Sequence, residues 1–305
     1  METRKNIKKS VIFIGLTFFL SWLIAIIFYI SGGRLGTTPQ AVAVLLVYMF
    51  VPMTIAIIVQ RFVYREPLKD LGISWKLNRW FPVAWLLPAV IAFATLGVSL
   101  LFPGVEYSPE MTGLFERFCS ILTPEQMEQL KMQFAASPIH PIWIALLQGL
   151  VAGITINAIA GFGEELGWRG LLQKELGYLG FWRSSAVIGI IWGIWHAPII
   201  IQGYNYPQHP LAGVFMMTVF TLLLSPIFGY VRLKARSVIA AAIIHGSLNA
   251  TAGLAIMVVA GGNDLMIGVT GLAGFIVLLI VNIAIFVYDR FLTRDPVFSG
   301  LISSI

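Results

Sequence analysis

Glu164, His196, His245 and Asn249 are acid–base and hydrogen-bonding side chains set in otherwise apolar stretches. Such groups are expensive inside a membrane and point to function there. Glu164 opens the run Glu164-Glu165-Leu166-Gly167-Trp168-Arg169-Gly170. Glu165 and Arg169 stand at i, i+4 with the acid first, the favourable order for an intrahelical ion pair. Glu164 lies about 100° round the helix and must serve something else. Gly161, Gly163, Gly167 and Gly170 make this helix small-sided, which lets neighbours approach closely. His196 follows Trp192 by one turn and precedes Pro198, which removes a backbone donor and opens the helix locally. Trp192 itself reads as packing. His245 and Asn249 share a helix face and can present two donors to one anionic oxygen. A carboxylate to take a proton from water, a histidine to hold that water and a His/Asn pair to bind an oxyanion are the parts of amide hydrolysis. No Gly-x-Ser-x-Gly elbow is present, and the single cysteine, Cys119, falls in an outer connection, so no covalent nucleophile is indicated. Glu164, His196 and His245 could instead hold zinc, with a fourth position left for water; their spacing does not decide. Ordinary structure could account for each cluster: a solvated helix end at 164–170, a hydrogen-bonded core histidine at 196, and an interhelical clasp at 245–249.

The elements that must position these groups are membrane helices. In 305 residues, 58% are hydrophobic and 11% charged, which excludes a disordered chain, while a single cysteine excludes a disulfide-stapled domain. The net charge of +6 is spread too thinly to suggest nucleic acid. Eight stretches, near 10–31, 41–62, 80–102, 141–163, 181–202, 211–231, 238–258 and 265–288, are long enough to cross about 30 Å of hydrocarbon. The first follows Arg4, Lys5, Lys8 and Lys9 but is too long for a signal peptide and lacks a cleavage site. With the N-terminus inside, seventeen of the 20 Lys and Arg residues fall on one side, leaving only Arg34, Arg117 and Lys131 on the other. Both termini are therefore expected to be cytoplasmic. In the outer connection 103–140, Thr123-Pro124-Glu125-Gln126 forms a capping box for a helix ending before Pro138. Met127, Leu130 and Phe134 give that helix an apolar stripe suited to the membrane surface or to capping the bundle. His140 and His209 adjoin prolines in outer connections and are expected to be solvent-exposed. Straight, upright helices would put His245 about 11 Å and His196 about 20 Å from the inner boundary, with Glu164 at that boundary. A common site then requires tilt, an interfacial start to the fifth helix, or a fourth helix that continues past residue 163.

The ordered set Glu164-Glu165-x-x-x-Arg169, a histidine four residues after an aromatic one, and His245-x-x-x-Asn249 resembles the three motifs of the CAAX-protease and bacteriocin-processing (Abi, CPBP) intramembrane proteases. Type II CAAX (Rce1-like) endopeptidases belong to that family. Each motif is short; their order and spacing over about 160–250 carry the resemblance. It implies an all-α, polytopic membrane bundle of about eight transmembrane helices with an intramembrane polar cavity open to the cytoplasmic half. It further implies Glu164 as the base with His196 beside it, and His245 and Asn249 as the oxyanion site. Glu165, Arg169 and Trp192 would be supporting, with Trp192 standing where the family often has Phe. Within one membrane domain, 1–140 would supply N-terminal spans and the outer amphipathic segment, 141–260 the catalytic core, and 261–305 the last span and tail. The implied partners are the lipid bilayer and a membrane-embedded or lipid-anchored peptide, the prenylated CAAX tail being the best-known substrate. No nucleic acid and no cofactor are expected, with zinc as the alternative. A non-enzymatic scaffold or bacteriocin-immunity protein is the competing function. A proton-coupled transporter is weaker still, because no inverted repeat is visible.

Overall fold

Apolar runs fold as helices in a membrane because a helix satisfies its own backbone groups where no water can. The computed structural model describes residues 2–36, 38–118 and 123–298, so Cys119 lies outside the described residues. In chain order the elements begin with α1 (Glu2–Ile30), α2 (Pro39–Ile57, extended by a π-helical turn Ile58–Val63) and α3 (Trp80–Ser99). Then come β1 (Val105–Tyr107), α4 (Thr112–Phe118), α5 (Pro124–Ala135), α6 (Pro141–Ile154) and α7 (Ile156–Glu165). A π-helical turn, Leu166–Leu172, joins α7 to α8 (Gln173–Glu175), and α9 (Phe181–Trp195) and α10 (Ala197–Ile201) follow. The chain closes with α11 (Pro210–Ala235), α12 (Val238–Thr251), α13 (Leu254–Met257), β2 (Val259–Gly261) and α14 (Leu272–Val287).

Six helices are long and apolar enough to cross a membrane, and α6 with α7–α8, bent by 49°, makes a seventh if counted as one span. The expected fifth span, 181–202, is interrupted at His196 and divides into helices of 15 and 5 residues. The all-helical character holds, apart from a short antiparallel ladder pairing Val105 with Gly261 and Tyr107 with Val259.

The connections gather on two faces. On the face of the termini, Gly72 O accepts from Val238 N, Asn78 donates to Ala235 O, and Lys234 bonds Thr293. On the opposite face lie the β1–β2 ladder, a bond from Tyr206 OH to Thr270 O, and a 2.6 Å pair between His209 and Asp264. His140 is also engaged there, accepting Ile142 N at the start of α6 and bonding Pro109 O. Both histidines thus tie connections together while staying partly exposed to solvent, as their place in the connections leads one to expect. The capping box of α5 forms, and Met127, Leu130 and Phe134 are its half-buried residues, with Phe134 resting 6.0 Å from Phe115 of α4.

At the centre α7 is wedged between α2 and α12. A methyl group at Gly246 would lie 2.4 Å from Ala158 N, and one at Gly163 would lie 2.8 Å from Met49 O. Any side chain at either position would push the three helices apart.

Candidate active site

The helix carrying Glu164 does not end at residue 163. It continues through its π-helical turn to Glu175, whose carboxylate accepts from Lys9 Nζ at 2.7 Å. The same buried ammonium donates to Gln60 and Glu66, both at 2.6 Å, so this cluster marks the helix end on the face of the termini. Glu164 stands eleven residues before Glu175, roughly 15 Å deeper, and His245 stands seven residues into α12, roughly 10 Å deep. The longer fourth helix thus brings Glu164 to within a turn of the depth of His245.

The two neighbouring carboxylates face different partners. Glu165 is fully buried and holds Arg169 Nη1 at 3.1 Å, the i, i+4 pair expected from spacing. Its Oε1 also lies 2.8 Å from His245 Nδ1, a contact between residues 80 apart in sequence. The Arg169 guanidinium packs over the rings of Trp192, at 4.5 Å, and Phe228, at 5.1 Å. Glu164 accepts a 2.7 Å bond from the Trp192 indole through Oε2, and its Oε1 is 3.9 Å from His245 Nε2. Trp192 is therefore more than packing: its N–H orients the candidate base, because a buried indole seeks an acceptor.

His196 sits where α9 breaks. Its Nδ1 donates to Trp192 O at 2.7 Å, which leaves Nε2 as the nitrogen able to meet a bound molecule. The break also releases Trp195 O, which accepts Tyr48 OH at 2.5 Å and Trp22 Nε1 at 3.1 Å. Tyr48 and Trp22 were invisible to motif spacing. A hydroxyl and an indole N–H in apolar helices, each needing a partner, were the only signals they offered.

Glu164, Trp192, His196, His245 and Asn249 line one cavity of about 220 Å³, together with Tyr48 of α2. Its lining also includes Tyr204, Asn205, Val269 and Thr270, from the connections opposite the termini. Among the described residues no group of three His, Cys, Asp or Glu is arranged to hold a metal ion. Glu164, His196 and His245 share the cavity without forming a ligand set among the described residues.

Residues 138–251 match the family model described as type II CAAX prenyl endopeptidase Rce1-like. The Rce1-like segment runs from just before α6 to the end of α12 and contains every candidate site residue. No curated protein matches the chain. Outside the Rce1-like segment, α1 and α2 contribute Lys9, Trp22 and Tyr48, which brace it from the first sixty residues.

Proposed function

We propose that this Rce1-like protein is an intramembrane endopeptidase that hydrolyses a peptide bond in a membrane-associated substrate. Water held between Glu164 and His196 Nε2 gives a proton to Glu164 as its oxygen attacks the scissile carbonyl. The resulting oxyanion accepts hydrogen bonds from the Asn249 amide and from Nε2 of a doubly protonated His245, whose Nδ1–H is held by Glu165. Glu164 then passes its proton to the leaving nitrogen as the C–N bond breaks. One water is consumed and the carboxylate is restored. Trp192 keeps Glu164 aimed, and Arg169 balances the charge of Glu165.

The observation that carries this reading is that one cavity gathers a carboxylate, two histidines and an exposed amide from three separate helical segments. Its test is to incubate purified wild type and the Glu164→Ala, His196→Ala and His245→Ala variants with a library of membrane peptides, identifying products by mass spectrometry. Cleavage by wild type alone is the expected result. No cleavage by wild type, or equal cleavage by all four proteins, would end the proposal. Including prenylated and unprenylated forms of one CAAX peptide tests whether a lipid anchor is read.

A further inference from the structure

On the face of the termini lies a second hollow, of about 950 Å³, which shares no lining residue with the candidate active site. It sits at the ends of three helices long enough to cross a membrane: α3 begins at Trp80, α11 stops at Ala235, and the turn after α14 runs to Leu292. Arg79, Lys234, Arg236 and Arg294 line it together with Trp80, and among the described residues Asp295 is the one acid in that lining. Its walls are pinned by contacts across the three segments. Lys234 Nζ donates to Thr293 Oγ1 at 2.9 Å and to Asp295 O, and lies 5.8 Å from the ring centres of Trp80 and Tyr230. Asn78 donates to Ala235 O at 3.0 Å, and Arg79 donates to Tyr288 OH at 3.3 Å.

Charge decides what could fill this space. Arg79 and Arg236 are near enough to repel the Lys234 ammonium, with Asp289 and Asp295 opposing them. Asp289 is itself engaged, accepting from Tyr230 OH and from the backbone N–H groups of Val297 and Phe298. Four cations against one lining carboxylate leave the hollow strongly positive. The other basic cluster on this face is balanced, because Lys5, Lys9 and Lys174 share Glu66 and Glu175. A topology signal needs basic residues near helix ends, not their convergence on one hollow. Arg79, Arg236 and Arg294 are exposed, and guanidinium forks match phosphate oxygens two at a time. A basic pocket between helix ends, with an indole in its wall, suits the headgroup layer of a bilayer.

We propose that this hollow binds a phosphate-bearing anion, the headgroup of an anionic phospholipid or a free phosphate ester, through Arg79, Arg236 and Arg294 with Lys234 as a pinned fourth charge. The bound anion offsets the repulsion among the cations and ties the ends of α3 and α11 to the segment after α14. The site is independent of the endopeptidase reading.

The experiment titrates the purified full-length protein, in a neutral detergent, with phosphatidylglycerol, phosphatidylcholine or glycerol 3-phosphate and counts bound ligand by native mass spectrometry. Wild type is compared with Arg79→Gln/Arg236→Gln/Arg294→Gln and with a control of equal charge, Lys8→Gln/Lys69→Gln/Lys76→Gln, whose lysines are exposed outside the hollow. Wild type and control should bind phosphatidylglycerol more tightly than phosphatidylcholine by about 10-fold or more, and the arginine variant should lose that preference. Glycerol 3-phosphate binding that the arginine variant abolishes, without a lipid preference, would assign the same site to a free ester. If the triple variant does not fold, Arg294→Gln alone should show a partial loss of the same preference. Wild type that binds glycerol 3-phosphate not at all and the two lipids equally, or a control that loses as much as the arginine variant, would overturn the proposal.

Discussion

Glu165 Oε1 lies 2.8 Å from His245 Nδ1 while the same carboxylate holds Arg169 at 3.1 Å. One buried acid therefore balances a guanidinium and holds the Nδ1 side and the orientation of an imidazole ring. Motif spacing alone had assigned it only the first task.

The two tasks separate in a mutant cycle. Glu165→Gln leaves Arg169 buried without an anion, which should cost about 3–5 kcal/mol and lower the thermal midpoint in detergent. Adding Arg169→Gln removes the uncompensated charge, so the midpoint should recover toward wild type while turnover stays lost. A double variant that regains turnover would mean that Glu165 does no more than balance Arg169.

Trp192→Phe keeps an aromatic ring but removes the donor to Glu164. A hydrogen bond to a charged group is worth about 1.5–3 kcal/mol, so kcat should fall by roughly 10- to 100-fold with KM little changed. Steady-state kinetics on a single cleavable peptide check this; an unchanged kcat would show that the indole only packs.

What the sequence made legible was what one helix can hold. The Glu165–Arg169 pair and the common face of His245 and Asn249 both follow from i, i+4 spacing. The bonds from Trp192 to Glu164 and from His245 to Glu165 cross between helices, and no local periodicity encodes them. The depth of Glu164 was obscured because its own charges, with Glu165 and Arg169, interrupt the hydropathy of a helix that continues to Glu175. The break within 181–202 was hidden for the reverse reason: apolar composition continues straight through the backbone interruption at His196. The three blocks expected within the chain follow sequence position, yet Lys9 and Tyr48 reach from the first block into the surroundings of the site.

Acid should loosen the bracing of α1. Burial works to raise the Glu66 carboxyl, but hydrogen bonds from Lys5 and Lys9 and the nearby Lys174 bring it down to about 2. A depressed carboxylate contributes its stability in full above its ordinary value of 4.5 and loses it as pH falls toward about 2. The thermal midpoint of wild type should drop across that window, and Glu66→Gln should start lower and lose this part of the slope. Identical pH profiles for the two proteins would remove Glu66 from the bracing.

Chelation should leave turnover unchanged. Among the described residues no group of three His, Cys, Asp or Glu is arranged to hold a metal ion. Elemental analysis of the purified protein before and after a strong chelator, with cleavage assayed in parallel, checks this. Stoichiometric zinc lost together with activity would place a metal in the mechanism.

The central claim, that Glu164 moves the proton of the attacking water, is met most directly by Glu164→Gln. The amide oxygen can still accept from the Trp192 indole, so the fold and the thermal midpoint should persist. The side chain can no longer serve as a base, and kcat on a cleavable membrane peptide should fall by about 10²- to 10⁴-fold. A folded Glu164→Gln protein that cleaves at the wild-type rate would contradict the account.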